Sequence, residues 1–435
     1  MALLALTAGA CRGDGPPEPP PTDTPTGADG TEPGGGAGTP TGTRIDGTLR
    51  IGTVLPQSGE LATLGPSLVE AVRLAVEDIN AAGGVLGKDI ELRLGDSGSE
   101  QDTSIRTLDE LRDGNVDAIV GAASARVSLA IMERVTRSQT VMCSPANTGL
   151  EFTSRPDNGF YFRTAQPDGL QALALADVIV GDGHRRIGII SVDDDFGRDL
   201  SAALRTALEA KEDVSVVGTA TYPPDAREFA SRLRGLVQAE PDAVAIVAFE
   251  DTGAPVISAL IEEGMGPGEI GVYAPDAMQR ASLGELASPD DPSAVQGVKG
   301  TAPLAEGLPR FADAFREFAP ENTPEIFSAH AYDCVVLMAL AALETNTDDP
   351  VAMSGAMTGL TKEGVKCRSF EQCKELIENG EDIDYDGASG ELDFTDVGEP
   401  GSGRFEVWEY VVRGDVGRIR RLGTLTAAVE EDETS

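Results

Sequence analysis

The sequence predicts an α/β protein built on two doubly wound parallel sheets, and three observations carry that expectation. Short β-branched runs alternate with amphipathic helical patterns along most of the chain, the signature of repeated βαβ units. The alternation falls into two series, one on each side of Phe160–Thr164. A length of 435 residues also exceeds what a single core comfortably fills.

The first series opens with an apolar strand at Thr48–Leu55. Pro66–Asn80 follows, with Leu68, Val72, Val76 and Ile79 on one helical stripe, and Gly83-Gly84 ends it. Strand Ile90–Leu94, helix Thr103–Arg112, strand Asp117–Gly121, helix Ser124–Arg137 and strand Thr140–Ser144 continue the pattern. The second series runs through strand Arg186–Ser191, helix Asp199–Ala210, strand Val214–Ala220, helix Arg227–Ala239, strand Ala243–Phe249, helix Ala254–Glu263 and strand Ile270–Tyr273. Helical patterns at Pro309–Phe318 and Glu325–Leu343, then strand-like Glu391–Phe394 and Arg404–Val412, complete one sheet or the other.

The ends read differently. Residues 1–11 resemble the end of a truncated export signal, with apolar Ala2–Leu6 and a lipoprotein-type Ala8-Gly9-Ala10-Cys11 box that makes Cys11 the expected lipid attachment point. Residues 12–47 are almost wholly Gly, Pro, Thr, Asp and Glu, too polar to repay ordering, and form a disordered tether with a reach on the order of 33 Å. Residues 425–435 are an acidic tail.

Composition excludes whole classes of function. A net charge of −39 repels phosphate backbones and anionic lipid, so nucleic-acid binding is not expected. No apolar run approaches the roughly 18 residues that span a bilayer, which leaves a lipid on Cys11 as the membrane contact. The two histidines, His184 and His330, neighbour no nucleophile motif, and no Gly-x-Ser-x-Gly elbow or Cys/His metal spacing occurs; no enzyme, metal or cofactor is implied. Gly83–Lys88 follows a helix and ends before Asp89, which is wrong for a phosphate loop. Asp382–Asp393 has calcium-loop spacing but closes on Asp and runs into strand-like residues, so a solvated turn is expected there.

In open α/β sheets ligands sit beyond the carboxyl ends of the strands. There Ser124 and Thr148 stand where helices begin, each offering a hydroxyl beside unpaired N–H groups. Either alone is an ordinary cap; two facing one crevice make a binding site. Cys367 and Cys373 are close enough to bridge in an oxidising compartment. Cys143 and Cys334 lie in apolar surroundings, where buried free thiols are common.

Taken in order, Ile51-Gly52, Pro56-x-Ser58-Gly59, Gly65, Ala75-x-x-Asp78-Ile79-Asn80-Ala81-x-Gly83-Gly84, Ser144-Pro145-Ala146, Phe162-Arg163-Thr164, Asp195-Phe196-Gly197 and Ala331-Tyr332-Asp333 resemble the branched-chain amino acid-binding proteins of ABC importers. The resemblance covers roughly Thr48 to Leu422. It implies a type I periplasmic binding protein fold: two doubly wound, Rossmann-like lobes joined by a three-crossover hinge, with lobe one at 48–164 plus 303–391 and lobe two at 165–302 plus 392–424. It also implies an extracytoplasmic receptor, lipid-anchored on the outer face of the cell membrane, that closes on an amino acid and delivers it to a permease and ATPase complex. Ser124, Ala146 and Thr148 then meet the α-carboxylate and α-ammonium, Asp276 completes the ammonium site, and Phe196 and Phe249 stand near the ligand side chain. Cys143 and Cys334 both map to lobe one, which makes a bridge between them an expectation of the resemblance. Leu64 and Phe249 depart from the family's aromatic and hydroxylated positions, so side-chain preference is open. Amide and urea receptors share the fold, and a sensor for a membrane signalling partner is the remaining alternative.

Overall fold

The computed structural model describes residues 45–304, 307–414 and 416–429. Strand β1 (Arg50–Val54) is apolar and buried along almost its whole length, as a strand covered on both faces must be. Helix α1 (Gly65–Ala81) starts with Pro66 in its first turn and stops before Gly83 and Gly84, both at positive φ. Then come β2 (Glu91–Arg93), α2 (Gln101–Asp113), β3 (Ala118–Gly121), α3 (Ala125–Arg137), β4 (Val141–Ser144), the single turn α4 (Glu151–Ser154) and β5 (Tyr161–Arg163). The chain proceeds through α5 (Asp168–Gly181), β6 (Arg186–Val192), α6 (Asp195–Glu209), β7 (Ser215–Tyr222), α7 (Ala230–Ala239), β8 (Ala243–Val247), α8 (Glu250–Glu262), β9 (Gly271–Ala274), α9 (Leu283–Ala287) and β10 (Lys299–Pro303). The remaining elements are α10 (Pro309–Phe318), α11 (Ser328–Glu344), α12 (Pro350–Ala356), β11 (Val365–Cys367), α13 (Phe370–Glu378), β12 (Ile383–Tyr385), β13 (Ser402–Arg413) and β14 (Val416–Ala428).

Among the described residues the strands form a five-stranded sheet of order β2-β1-β3-β4-β5, a seven-stranded sheet of order β14-β13-β10-β9-β8-β6-β7, and a small β11-β12 pair. The first sheet is wholly parallel. The second is parallel until β10 meets β13, where the late hairpin adds antiparallel edges. The two large sheets, each with its own buried cores, are the two lobes. Three strands of chain pass between them: after β5, after β10 and before β13.

Several expectations are corrected. Glu391–Phe394 is not a strand; Phe394 makes one bridge to Pro400, while Leu392 and Phe394 are buried in the first lobe's core, with Phe394 stacked on Phe162. Their alternation recorded burial, not pairing. The third crossover therefore lies beyond Phe394, not at Leu392. Strand β14 runs on to Ala428, into the stretch read as acidic tail. At the other end the body begins at Asp46, inside the stretch read as tether, where the Asp46, Gly47 and Thr48 N–H groups donate to Asp348 Oδ2 at 3.0, 2.8 and 3.1 Å. The Asp382–Asp393 segment is not a solvated turn. It contains β12, whose Asp384 and the following Asp386 are neutralised by Lys366, with Arg368 adding a second pair to Asp386.

Helix α5 carries no periodic stripe and escapes the pattern reading because it is packed nearly all round, between α6 and the β10, β13 and β14 end of the second sheet. Both disulfides are present. Cys143–Cys334 joins β4 to α11 with Cα atoms 5.6 Å apart, and Cys367–Cys373 spans 5.3 Å beside the small sheet.

Candidate functional site

The site is assembled from strand ends, starting in the first lobe. Gly121 closes β3 at φ +136°, and a Cβ there would fall 2.4 Å from the Val54 carbonyl oxygen, so only glycine lets the chain turn so tightly against β1. The turn delivers Ser124 to the N-cap of α3, where its side chain makes no capping bond. Beyond β4, Ser144 Oγ donates to the Ala122 carbonyl at 2.7 Å and accepts from the Ala146 and Asn147 N–H groups at 3.3 and 3.1 Å. Asn147 Nδ2 donates to the Ala123 carbonyl, and the Tyr161 hydroxyl donates to Asn147 Oδ1.

Arg163 fixes this loop from below. Its guanidinium is fully buried, donates to the Asn147 and Gly149 carbonyls at 3.2 and 2.7 Å and to Thr153 Oγ1 at 2.8 Å, and forms an ion pair with Glu399. Four groups from three segments thereby share one cation. A loop held this way is preorganised, because its backbone carbonyls are placed before any ligand arrives.

The second lobe contributes the facing wall. Asp194 caps α6 by accepting from the Gly197 N–H at 2.8 Å, and this sets Phe196 at the helix start. The Phe196 ring lies 4.8 Å from that of Phe249, which is 43% exposed. Asp276 opens a single 3₁₀ turn after β9. Its Oδ1 accepts from Gln171 Nε2 at 2.9 Å, and the same nitrogen donates to the Thr301 carbonyl at 3.0 Å. Asp168, at the start of α5, donates its N–H to the Thr148 carbonyl at 2.8 Å and turns its carboxyl toward the Thr148 side chain. Burial pushes the Asp168 carboxyl up to about 7; the neighbouring charge of Asp276 adds to this and the Thr148 side chain works against it. Burial likewise raises the Asp276 carboxyl, opposed by the bond from Gln171.

Between these walls lies a cleft of about 510 Å³. Ala146, Thr148 and Phe196 line it together with Asn147, Arg126 and Asp168. Phe249 and Asp276 lie outside the lining: the Phe249 ring meets that of Phe196, and the Asp276 charge acts on Asp168 from behind the wall. Ser124 is set back: the α3 residues just after it, Ala125 and Arg126, reach the lining, but it does not. The helix expected directly after Thr148 is absent; one turn begins only at Glu151, so Thr148 is not a helix cap. Cys11 lies outside the described residues. Sequence reasoning missed Asp168, Gln171, Asn147 and Arg163 as parts of the site. The available signal for the first two was an acid and an amide three residues apart at the opening of an otherwise apolar helix. Among the described residues no group of three or more His, Cys, Asp or Glu could hold a metal. His330 is buried with both ring nitrogens unpartnered, and burial pushes its imidazole down to about 4.

The cleft thus draws one wall from the 146–151 loop and the start of α3, and the other from the starts of α5 and α6. The chain belongs to the periplasmic binding protein family, which matches residues 48–377. Its members are substrate-binding proteins, not enzymes, and work outside the cytoplasm. Among relatives, the chemotactic signal transduction system substrate-binding protein BasB of Halobacterium salinarum is 26% identical over 369 residues, covering 82% of this chain and 85% of that protein. Leu/Ile/Val-binding protein homolog 3 of Brucella melitensis is 24% identical over 318 residues, covering 71% and 83%. A Rhodopseudomonas palustris solute-binding protein of an ABC transporter, solved with 4-hydroxybenzoate, shares the fold at a TM-score of 0.60 and 16% identity, covering 88% of this chain and 98% of that one. Among the described residues no helix is long and apolar enough to cross a membrane.

Proposed function

We propose that this protein captures an amino acid zwitterion in the cleft and hands it to an ABC permease and ATPase complex, held at the outer face of the cell membrane by lipid on Cys11. The coupled carboxylates of Asp168 and Asp276 carry the reading. Asp168 is buried at the cleft wall with the charge of Asp276 acting on it, an arrangement that a cation relieves, and an α-ammonium supplies one. The Ala146 carbonyl adds an acceptor. Ser124, the α3 N-terminus and Thr148 supply donors for the α-carboxylate, while Phe196 and Phe249 meet the side chain. The lobes, 48–164 plus 303–391 and 165–302 plus 392–424 with Leu392 and Phe394 returned to the first, close about the crossovers because each holds part of the site.

An aromatic acid without an ammonium would leave the carboxylate pair unrelieved, and a neutral amide or urea would only hydrogen-bond to it. A thermal-shift screen of the twenty amino acids, urea, acetamide and 4-hydroxybenzoate tests the reading. Aliphatic amino acids should raise Tm; stabilisation by urea or 4-hydroxybenzoate with no response to any amino acid would overturn it. In the native host the protein should fractionate with membranes and carry a diacylglyceryl mass on Cys11. The similarity to BasB favours one second reading, in which the loaded receptor engages a membrane signalling partner instead of a permease; co-purification from the host separates the two.

A further inference from the structure

Gln171 lies in the first turn of α5, only 2% exposed, with its amide nitrogen between two acceptors. One is the Asp276 carboxylate, at 2.9 Å; the other is the Thr301 carbonyl, at 3.0 Å. Because both neighbours accept, the NH₂ and not the oxygen of the amide must face them. Thr301 belongs to β10, the strand by which the chain leaves the second lobe, and its own hydroxyl is buried without a partner. Asp168, three residues earlier in the same turn, is bonded to Thr148 of the first lobe. The first turn of α5 thus touches the ligand loop of one lobe, the acid of the other and a hinge strand.

We propose that Gln171 is a positioning residue that couples occupancy of the head-group site to the hinge. Its two N–H bonds tie the Asp276 carboxylate to the β10 backbone. A cation that draws on Asp276 therefore alters the hold on Thr301, and β10 reports the ligand although it does not touch it. The identity of that cation rests on the amino-acid reading; the tie itself does not. In Gln171→Met the side-chain volume is kept and both donors are lost.

Amide hydrogen exchange over Lys299–Pro303 provides the test, using L-leucine as probe. Without ligand, Gln171→Met should exchange roughly tenfold faster than wild type in this segment, the expected effect of losing about one hydrogen bond. Saturating L-leucine should slow exchange in the same segment of wild type. In the variant, L-leucine affinity should fall about 10- to 100-fold, and the segment should no longer respond even at saturation. A role confined to packing would lower Tm but preserve the ligand response, and that result would overturn the proposal. So would unchanged ligand-free exchange, or a wild type in which L-leucine protects the 146–150 loop but leaves β10 unaffected. If neither L-leucine nor any other amino acid binds wild type, the amino-acid reading fails, and the ligand-free comparison still decides the tie.

Discussion

Asp276 and Phe249 are the two side chains whose replacement best separates the parts of the cleft. Removing one partner of a buried charge pair costs about 2–5 kcal/mol, roughly 30- to 5,000-fold in affinity, so Asp276→Ala should abolish useful amino acid binding in calorimetry with the fold intact. Phe249→Ala, at an exposed rim position, should instead change which side chains are preferred. Proton exchange gives a second check. The Asp168 carboxyl stands near 7 without ligand, and an ammonium beside it favours the ionised form. Binding should therefore release protons around neutral pH, and affinity for amino acids should rise from pH 5.5 to 7.5. Titrations in buffers of different ionisation enthalpy read the release directly; a buffer-independent enthalpy would exclude Asp168 as an ammonium partner. Ala146, Thr148 and Phe196, positions the family resemblance named, do line the cleft. Asp168 and Gln171 were not legible in the sequence, since their role depends on a crossover returning α5 beneath the loop that holds Thr148, a relation no local pattern encodes.

The 144–149 loop owes its shape to Arg163, and the consequence can be measured. Arg163→Met would strand Glu399 in the interior and should cost about 3–5 kcal/mol in denaturant unfolding. Adding Glu399→Leu should recover much of that stability, because an apolar pair of similar volume avoids the desolvation of both ions. Ligand affinity should stay low in the double variant, since the carbonyls of Asn147 and Gly149 remain without their donor. If affinity recovers together with stability, the guanidinium does not position the loop. The alternating βα elements of both lobes followed from hydrophobic period alone. Two of the misreadings share one cause: α5, with no polar face, and Leu392 and Phe394, with strand-like alternation, take their environment from distant segments. The Ala331-Tyr332-Asp333 motif illustrates the same limit. Its Asp333 accepts from the Ala388 and Ser389 N–H groups and from the Ser389 and Tyr385 hydroxyls, clamping α11 to a loop more than fifty residues away in sequence.

Across the whole molecule, buried acids set the response to pH. Burial raises Asp117 and Asp168 to about 7 and Asp333 to about 6. Each is protonated in the folded protein at pH values where the unfolded chain has lost that proton, so each contributes stability below about pH 4 that is lost as pH rises toward 7. His330, lowered to about 4, acts oppositely, withdrawing stability as pH falls below about 6.5. Three acids outweigh one imidazole, and self-repulsion of a chain at −39 grows in the same direction. Ligand-free protein should therefore be more stable to urea at pH 5.5 than at 7.5; the reverse order would place these carboxylates in their ionised forms. The division of labour in the cleft reaches further. Asp168 and Asp276, proposed for the ammonium, are tied to Thr148 and Gln171 beside the crossovers, whereas Phe249 stands exposed and pairs with Phe196. On the amino-acid reading, inheritance can thus rewrite the menu of this receptor by single changes at exposed Phe249, while the groups proposed for the α-amino acid backbone stay locked to the architecture.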